Sequence, residues 1–367
     1  MRIRAAVSRD NTPAPAIEDV DLGEPRAGEI LVRVVAAGIC HTDLRAHAGG
    51  VLPTPRPVVL GHEGAGVVES VGPGVTGLVP GDQVVMSGSS CGICPCCREN
   101  LPSYCRENML RSFGGSRPDG SSALSQTGQK LHGHFFGQSS FATYAIADAR
   151  SAVRIAPDIP LQIAAPLGCG VITGAGAVLY SFALRAGQSL VVFGTGGVGL
   201  SAVMAAHLVG ASQIIAVDPL ASRRALALAL GATAAIDPGE GDVVDALRVL
   251  LPAGADFVLN TTAQAAVIDA GLRALGMRGV LGFVSAPPQP WTTQLFPLLA
   301  GGRSLRGILG GDAAPQVAIP LLLDYWRQGR FPLERLITHY RFEQIAEAFG
   351  AVKSGAAIKP VLQMEQN

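Results

Sequence analysis

Apolar residues follow two rhythms along this chain. Up to about residue 150 they form short Val/Ile runs, at 30–35, 66–71 and 83–86, separated by Gly- and Pro-rich turn signals. Such runs predict a β-rich domain of many short strands. From about residue 185 the rhythm changes: strand-like runs at 190–193, 213–217, 234–236, 257–260, 279–284 and 305–308 alternate with helix-like stretches at 198–209, 223–230, 243–251 and 265–275. Strand and helix in alternation predict a parallel, doubly wound sheet, so the fold class is α/β. Beyond about residue 310 come a helix-like run at 317–329 and a mixed tail ending in Ile358-Lys359-Pro360-Val361-Leu362. A tail of this kind can return to the first domain and leave the βαβ block as an insertion.

Composition adds limits. A length of 367 residues exceeds one ordinary core and supports two domains. With 48% hydrophobic residues, 15% charged and a formal net charge of zero, the chain reads as globular. It carries neither the basic footprint of a nucleic-acid partner nor a charged tail. Residues 1–8 lack the apolar core and cleavage site of a secretory signal, so a cytoplasmic location is expected. Residues 161–184 are uncharged over a length able to cross a bilayer, but Pro166, Gly168, Gly170, Gly174 and Gly176 interrupt them. A buried, turning segment between two domains is expected there, and no membrane span.

The first chemical signal is Gly194-Thr195-Gly196-Gly197-Val198-Gly199, placed between a predicted strand and a predicted helix. A dinucleotide fingerprint needs this context: the first Gly for the tight turn, the second for backbone approach to a pyrophosphate, the last for helix packing. Free N–H groups at the helix start then favour phosphate. Asp218 ends the next predicted strand about 20 residues on, where a carboxylate accepts from the ribose hydroxyls and repels a 2′-phosphate. NAD is therefore expected over NADP, with Arg223 and Arg224 close enough to soften the discrimination.

Six of the seven cysteines suggest metal. Cys91, Cys94, Cys97 and Cys105 form a C-x2-C-x2-C-x7-C cluster, the spacing of a structural zinc site. Cys96 inside the cluster makes the ligand choice ambiguous; the evenly spaced set is preferred. Cys40 and Cys169 lie in glycine-bounded turns, and with His62 they supply two thiolates and one imidazole, leaving a fourth position open. On spacing alone these two cysteines read equally well as small apolar core residues.

Over nearly its full length the chain resembles the zinc-dependent medium-chain alcohol dehydrogenases. The resemblance is carried by Gly61-His62-Glu63-Gly64-Ala65-Gly66 with Gly72 and Val75, and by Gly81-Asp82-Gln83-Val84. Finer motifs look like the aryl (benzyl) alcohol branch, which includes enzymes of allylic terpene alcohols: Cys40-His41-Thr42-Asp43, Leu52-Pro53-Thr54-Pro55-Arg56-Pro57, Phe113-Gly114-Gly115-Ser116 and the run Phe135-Phe136-Gly137-Gln138-Ser139-Ser140-Phe141.

The resemblance implies a GroES-like catalytic domain over 1–170 and 311–367, with a Rossmann domain over 171–310. It also implies NAD and two zinc ions per subunit, one catalytic on Cys40, His62 and Cys169 with Glu63 beside it, one structural on Cys91, Cys94, Cys97 and Cys105. Thr42 would take the alcohol proton, and Asp43 would hold His62 in one tautomer. His41, Thr173 and Lys359 would serve the cofactor along with the fingerprint, Asp218 and Arg223. Arg45 stands where relatives place a relay histidine, and His47, expected at the surface, is the alternative relay. The polar, Gly-rich stretch 109–138 reads as a long loop over a site or interface. The implied substrate is a primary alcohol or its aldehyde, and the implied assembly a homodimer or homotetramer. Two rivals are a relative acting on another alcohol, a polyol or a glutathione adduct, and a non-catalytic NAD-binding protein of the same fold.

Overall fold

The computed structural model describes residues 1–49 and 54–364; Leu52 and Pro53 of the branch motif lie outside the described residues. The N-terminal part carries β1 (Arg2–Ser8), β2 (Ala16–Leu22), β3 (Glu29–Gly38), β4 (Val58–Val59), β5 (Gly64–Val71), β6 (Gln83–Met86), β7 (Leu124–Gln126), β8 (Gln129–Lys130), β9 (Tyr144–Asp148) and β10 (Ala152–Ile155). Then follow β11 (Ser189–Phe193), β12 (Gln213–Val217), β13 (Ala234–Ile236), β14 (Ala255–Asn260), β15 (Leu275–Phe283) and β16 (Ser304–Gly307), and finally β17 (Ile337–Arg341) and β18 (Lys359–Gln363).

The first unit comprises the chain up to Gly170, Ala314–Asp324, and the segment from Leu333 on. One of its sheets runs β4-β1-β2-β7-β8, the other β10-β6-β5-β3-β18-β17, with β9 also on β3. β3 is the hub, because β5 covers one edge while β9 and then β18 share the other. Its Ile30, Val32 and Val34 pack with Val68, Val84, Phe135 and Leu362 in one buried cluster. Each side chain so buried contributes roughly 1.5–3 kcal/mol against exposure.

The expected loop 109–138 is instead built from short elements: a helix Asn108–Phe113, the β7–β8 hairpin and a single turn Phe135–Gly137. The hairpin turn is Thr127-Gly128, with φ of 47° and 77°. Two positive φ values match the twist of a tight hairpin, a signal the Gly-rich composition conceals.

The apolar stretch 161–184 is helical but broken at Cys169, whose φ of −145° and ψ of −76° leave the helical region. Among the described residues no single helix is long and apolar enough to cross a membrane.

The second unit holds Val171–Ala313 and Tyr325–Pro332, so residues 311–313 and 325–332 pack with the parallel sheet and not with the β-rich unit as expected. Its sheet order is β13-β12-β11-β14-β15-β16, all parallel. Counted from β11 this is the 3-2-1-4-5-6 order of a doubly wound dinucleotide fold. The helix Gly197–Leu208 follows β11 directly.

Candidate metal and cofactor sites

β3 ends at Gly38, where an added Cβ would fall 2.2 Å from Glu63 Oε2, so only glycine allows this approach. Two residues on, Cys40 caps the helix His41–Ala48 from an extended conformation. Asp43 in the first turn of that helix is fully buried and ties three elements together. Its Oδ2 accepts from Cys40 N at 2.9 Å, and its Oδ1 accepts from Gly61 N at 3.2 Å and His62 Nδ1 at 2.9 Å. With Nδ1 donating to Asp43, His62 presents a bare Nε2, and that buried atom has no hydrogen-bond partner.

The break at Cys169 brings the last thiol to the same place. The ligand atoms of Cys40, His62, Glu63 and Cys169 all lie within 4.8 Å of one another. Two thiols, an orphaned imidazole nitrogen and a carboxylate are the donor set of a borderline-soft divalent cation, and the residues fit zinc. The two thiols divide the acid–base burden: the Cys169 hydrogen bond, with help from His62, holds Cys40 well below the ordinary thiol value, while Cys40 and burial push Cys169 well above it. Thr42 is half-buried, its Oγ1 3.8 Å from Cys40 Sγ.

Glu63 is held by Lys359, whose Nζ donates to both carboxylate oxygens at 2.8 Å, and by Gly170 N at 3.0 Å. Lys359 also reaches Ile39 O at 3.5 Å and is itself buried. A buried ion pair is costly to desolvate, and these extra hydrogen bonds offset part of that cost. The resemblance directs Lys359 to a cofactor phosphate, and here its ammonium pairs with Glu63.

His47 is a correction. It is buried rather than at the surface, with Ser8 Oγ 2.7 Å from Nδ1 and Thr12 O accepting from Nε2 at 2.9 Å. Both ring nitrogens are committed, so we assign it to the fold and not to a proton relay. Arg56 caps the end of the same helix by donating to Ala46 O and His47 O. His41 and Arg45 are exposed on that helix.

An aromatic wall surrounds His62. Phe136 stacks on its ring and Phe135 meets it edge-on at 5.6 Å, while Phe113 lies edge-on to Phe136 at 5.2 Å. Phe113 and Phe136 are half-buried, whereas Phe135 and Phe141 are core residues. The segment is wound through left-handed positions at His134, Phe136 and Ser139, with φ of 56°, 52° and 55°. Such strain persists only where surroundings over-determine it. Gln138 does much of that: Nε2 donates to His62 O at 3.1 Å and Ser87 O at 3.3 Å, and Oε1 accepts from Gly64 N at 3.0 Å. Neither Phe113 nor Gln138 stood out in sequence as a site residue, because their roles depend on contacts far along the chain.

The four-cysteine cluster forms as the even spacing suggests: Cys91, Cys94, Cys97 and Cys105 place their sulfurs within 4.8 Å of one another, and Cys96 is not among them. Backbone N–H groups point at these sulfurs, from Cys91 to Cys105 at 3.2 Å, Cys94 to Cys91 at 3.4 Å and Glu107 to Cys105 at 3.4 Å. Donors of this kind, from Arg106 and Cys97, pull Cys94 to about 6, while burial and Cys94 push Cys97 to about 12. Four sulfurs surrounded by amide donors fit a closed tetrahedral zinc site.

In the second unit the fingerprint glycines earn their places separately. Gly194 adopts φ +86°, and a Cβ on Gly199 would lie 1.9 Å from Gly194 O. At Gly196 the nearest atom to an added Cβ is Arg223 Nη1 at 3.3 Å, which sets a guanidinium beside the turn. Gly197 and Val198 open the helix. Asp218 Oδ2 accepts from Thr195 N at 2.7 Å and Oδ1 from Leu220 N at 2.9 Å, so the carboxylate is fixed at the fingerprint. Arg224 pairs with Asp237 at 2.7 Å and donates from Nη1 to Asp218 O at 2.8 Å and Pro219 O at 2.9 Å. Thr173 is half-buried in the helix Gly170–Gly176.

Residues 26–158 match the alcohol dehydrogenase GroES-like domain family and residues 197–324 the zinc-binding dehydrogenase family. The chain is 47% identical over 363 residues to geraniol dehydrogenase of Castellaniella defragrans, covering 98% of this chain and 97% of that one. A crystal structure of an alcohol dehydrogenase zinc-binding domain protein from Burkholderia ambifaria superposes with a TM-score of 0.97 at 47% identity. Benzyl alcohol dehydrogenase from Acinetobacter calcoaceticus gives 0.96 at 38% identity, and both structures cover 100% of each chain.

Proposed function

Because this chain belongs to the zinc-dependent medium-chain alcohol dehydrogenases, we propose that it oxidises a primary aromatic or allylic alcohol to the aldehyde with NAD as hydride acceptor. The observation that carries the reading is the convergence of Cys40, His62 and Cys169 around the orphaned His62 Nε2, walled by Phe136.

Cys40, His62 and Cys169 would hold the zinc, which would supply a Lewis acid to the alcohol oxygen, and NAD would supply the hydride acceptor. This chain's own residues do the rest. Asp43 fixes the His62 tautomer, Thr42 accepts the proton lost by the alcohol and passes it outward, and Lys359 neutralises Glu63. The faces of Phe113 and Phe136 offer a flat apolar surface suited to a benzyl or allyl group. The reaction balances as alcohol plus NAD⁺ to aldehyde, NADH and one proton.

Asp218 supports NAD over NADP, since a fixed carboxylate accepts from ribose hydroxyls and repels a 2′-phosphate. The Cys91, Cys94, Cys97 and Cys105 cluster supports a second, structural zinc. A homodimer or homotetramer is supported by β16, paired among the described residues only on its β15 side, and by exposed Leu295, Phe296 and Leu299 on the helix Leu295–Gly301. Free thiols at all seven cysteines support a reducing, cytoplasmic location.

The test is formation of reduced nicotinamide from benzyl alcohol, geraniol, ethanol and sorbitol, before and after chelation and in Cys169→Ala. Rates that favour the first two and vanish with zinc are expected. Folded, zinc-replete protein that binds NAD and turns over none of them would reject the reading.

A further inference from the structure

A second polar space lies in the β-rich unit, apart from the catalytic ligands. This cavity of about 270 Å³ is lined by Arg111, Arg117 and Arg150, by His134, and by the carboxylates Glu29 and Asp148. Both carboxylates are already engaged. Glu29 accepts from Arg117 Nε at 2.6 Å and Nη2 at 2.8 Å and from Arg26 N at 2.8 Å. Asp148 accepts from Arg150 N at 3.1 Å and Ser89 Oγ at 3.4 Å.

The donors are not used up. Arg117 keeps Nη1, and Arg150, whose Nη1 donates to Ser90 O at 3.2 Å, keeps Nε and Nη2. Arg111 gives Nε to Glu107 and Nη1 to Ser89 Oγ and keeps Nη2. His134 accepts Ala123 N–H at Nε2, so its ring proton is on Nδ1, with no acceptor among the described residues. Arg117 and His134, 7% and 8% exposed, line the cavity with these spare N–H groups. A set of guanidinium N–H groups is the usual complement of a planar or tetrahedral oxyanion.

We propose that this cavity seats a small tetrahedral oxyanion, inorganic phosphate or the phosphate of a small monoester. The seat is coupled to the catalytic wall, because Gly137 lines the cavity and Ser89 N donates to Phe136 O at 3.2 Å, the residue stacked on His62. An anion held by these arginines braces the segment that carries Phe136.

The experiment is calorimetric titration of the zinc-replete enzyme with inorganic phosphate and with methyl phosphate. Saturating NADH is present to fill the cofactor's own phosphate seats, and ionic strength is held constant with chloride. Arg150→Gln and Arg111→Gln are titrated alongside, each checked for parental zinc content and melting temperature. Saturable one-site binding, weakened about tenfold in each variant as expected for one lost charge-assisted contact, supports the seat. Which of the two probes binds distinguishes the free anion from the monoester. Selenate soaked into crystals should give an anomalous peak among the three guanidiniums. No saturable binding, equal binding in both variants, or a selenate peak elsewhere would overturn the proposal.

Discussion

The rings of His62 and Phe136 are stacked, with centroids 4.5 Å apart and planes inclined by 23°. A metal-ligand candidate thus shares a face with an aromatic side chain held at φ +52°. The backbone strain is sustained by Gln138 on one side and by Ser139 Oγ donating to Val59 O at 2.6 Å on the other. The same placement orients the imidazole and gives the site its apolar wall.

Phe136→Leu keeps volume but removes the π face. The ratio of kcat/KM for benzyl alcohol over ethanol should fall about 5- to 10-fold, the equivalent of ~1 kcal/mol of ring contact. An equal fall for both substrates would mean that Phe136 only supports the fold.

Asp43→Asn removes the anionic partner of His62 Nδ1. Zinc affinity at the catalytic site should drop roughly 10- to 100-fold. Competition with a chromophoric chelator should release one zinc early, while the four-cysteine site keeps its own as an internal reference.

Asp218→Ser removes the carboxylate at the fingerprint and leaves Arg223 beside Gly196. The NADP to NAD ratio of kcat/KM should rise by about tenfold or more, ~1.4 kcal/mol of relieved repulsion. An unchanged ratio would remove Asp218 from cofactor selection.

His134 predicts a pH dependence of stability. Burial and the neighbouring Arg117 lower its value to about 4 in the folded chain, against an ordinary 6.5. Between those values the unfolded chain binds a proton that the folded chain refuses. Stability is therefore full above the ordinary value and declines as pH falls toward the folded one, by up to about 3 kcal/mol. His134→Gln keeps an acceptor for Ala123 N–H and should flatten this slope, measured as the difference in urea midpoint between about pH 5 and about pH 7.5.

The parts of the molecule legible in sequence are those written locally. The run 213–217 and the strand Gln213–Val217 coincide because a buried parallel strand is a continuous apolar run, and the Cys91 to Cys105 spacing folds into its cluster within fifteen residues. What escaped is long-range or strained. Gln138 acts across 76 residues on His62 O, and nothing in its neighbourhood announces that contact. His47 reads in sequence as a surface histidine, but Ser8, 39 residues earlier, hydrogen-bonds its ring in the interior. The hairpin at Thr127 was hidden because Thr at φ 47° runs against its own preference.

The pairing of Glu63 with Lys359 has a consequence for the order in which the protein is made. Lys359 follows Glu63 by 296 residues, on a strand that pairs with β3 from Val361 opposite Gly38 and with β17 on its other side. During translation the residues around His62 are present long before their balancing cation, and until β18 docks an unneutralised carboxylate sits beside the ligands. The charge balance of the catalytic ligands is therefore completed by one of the last strands of the chain to be synthesised.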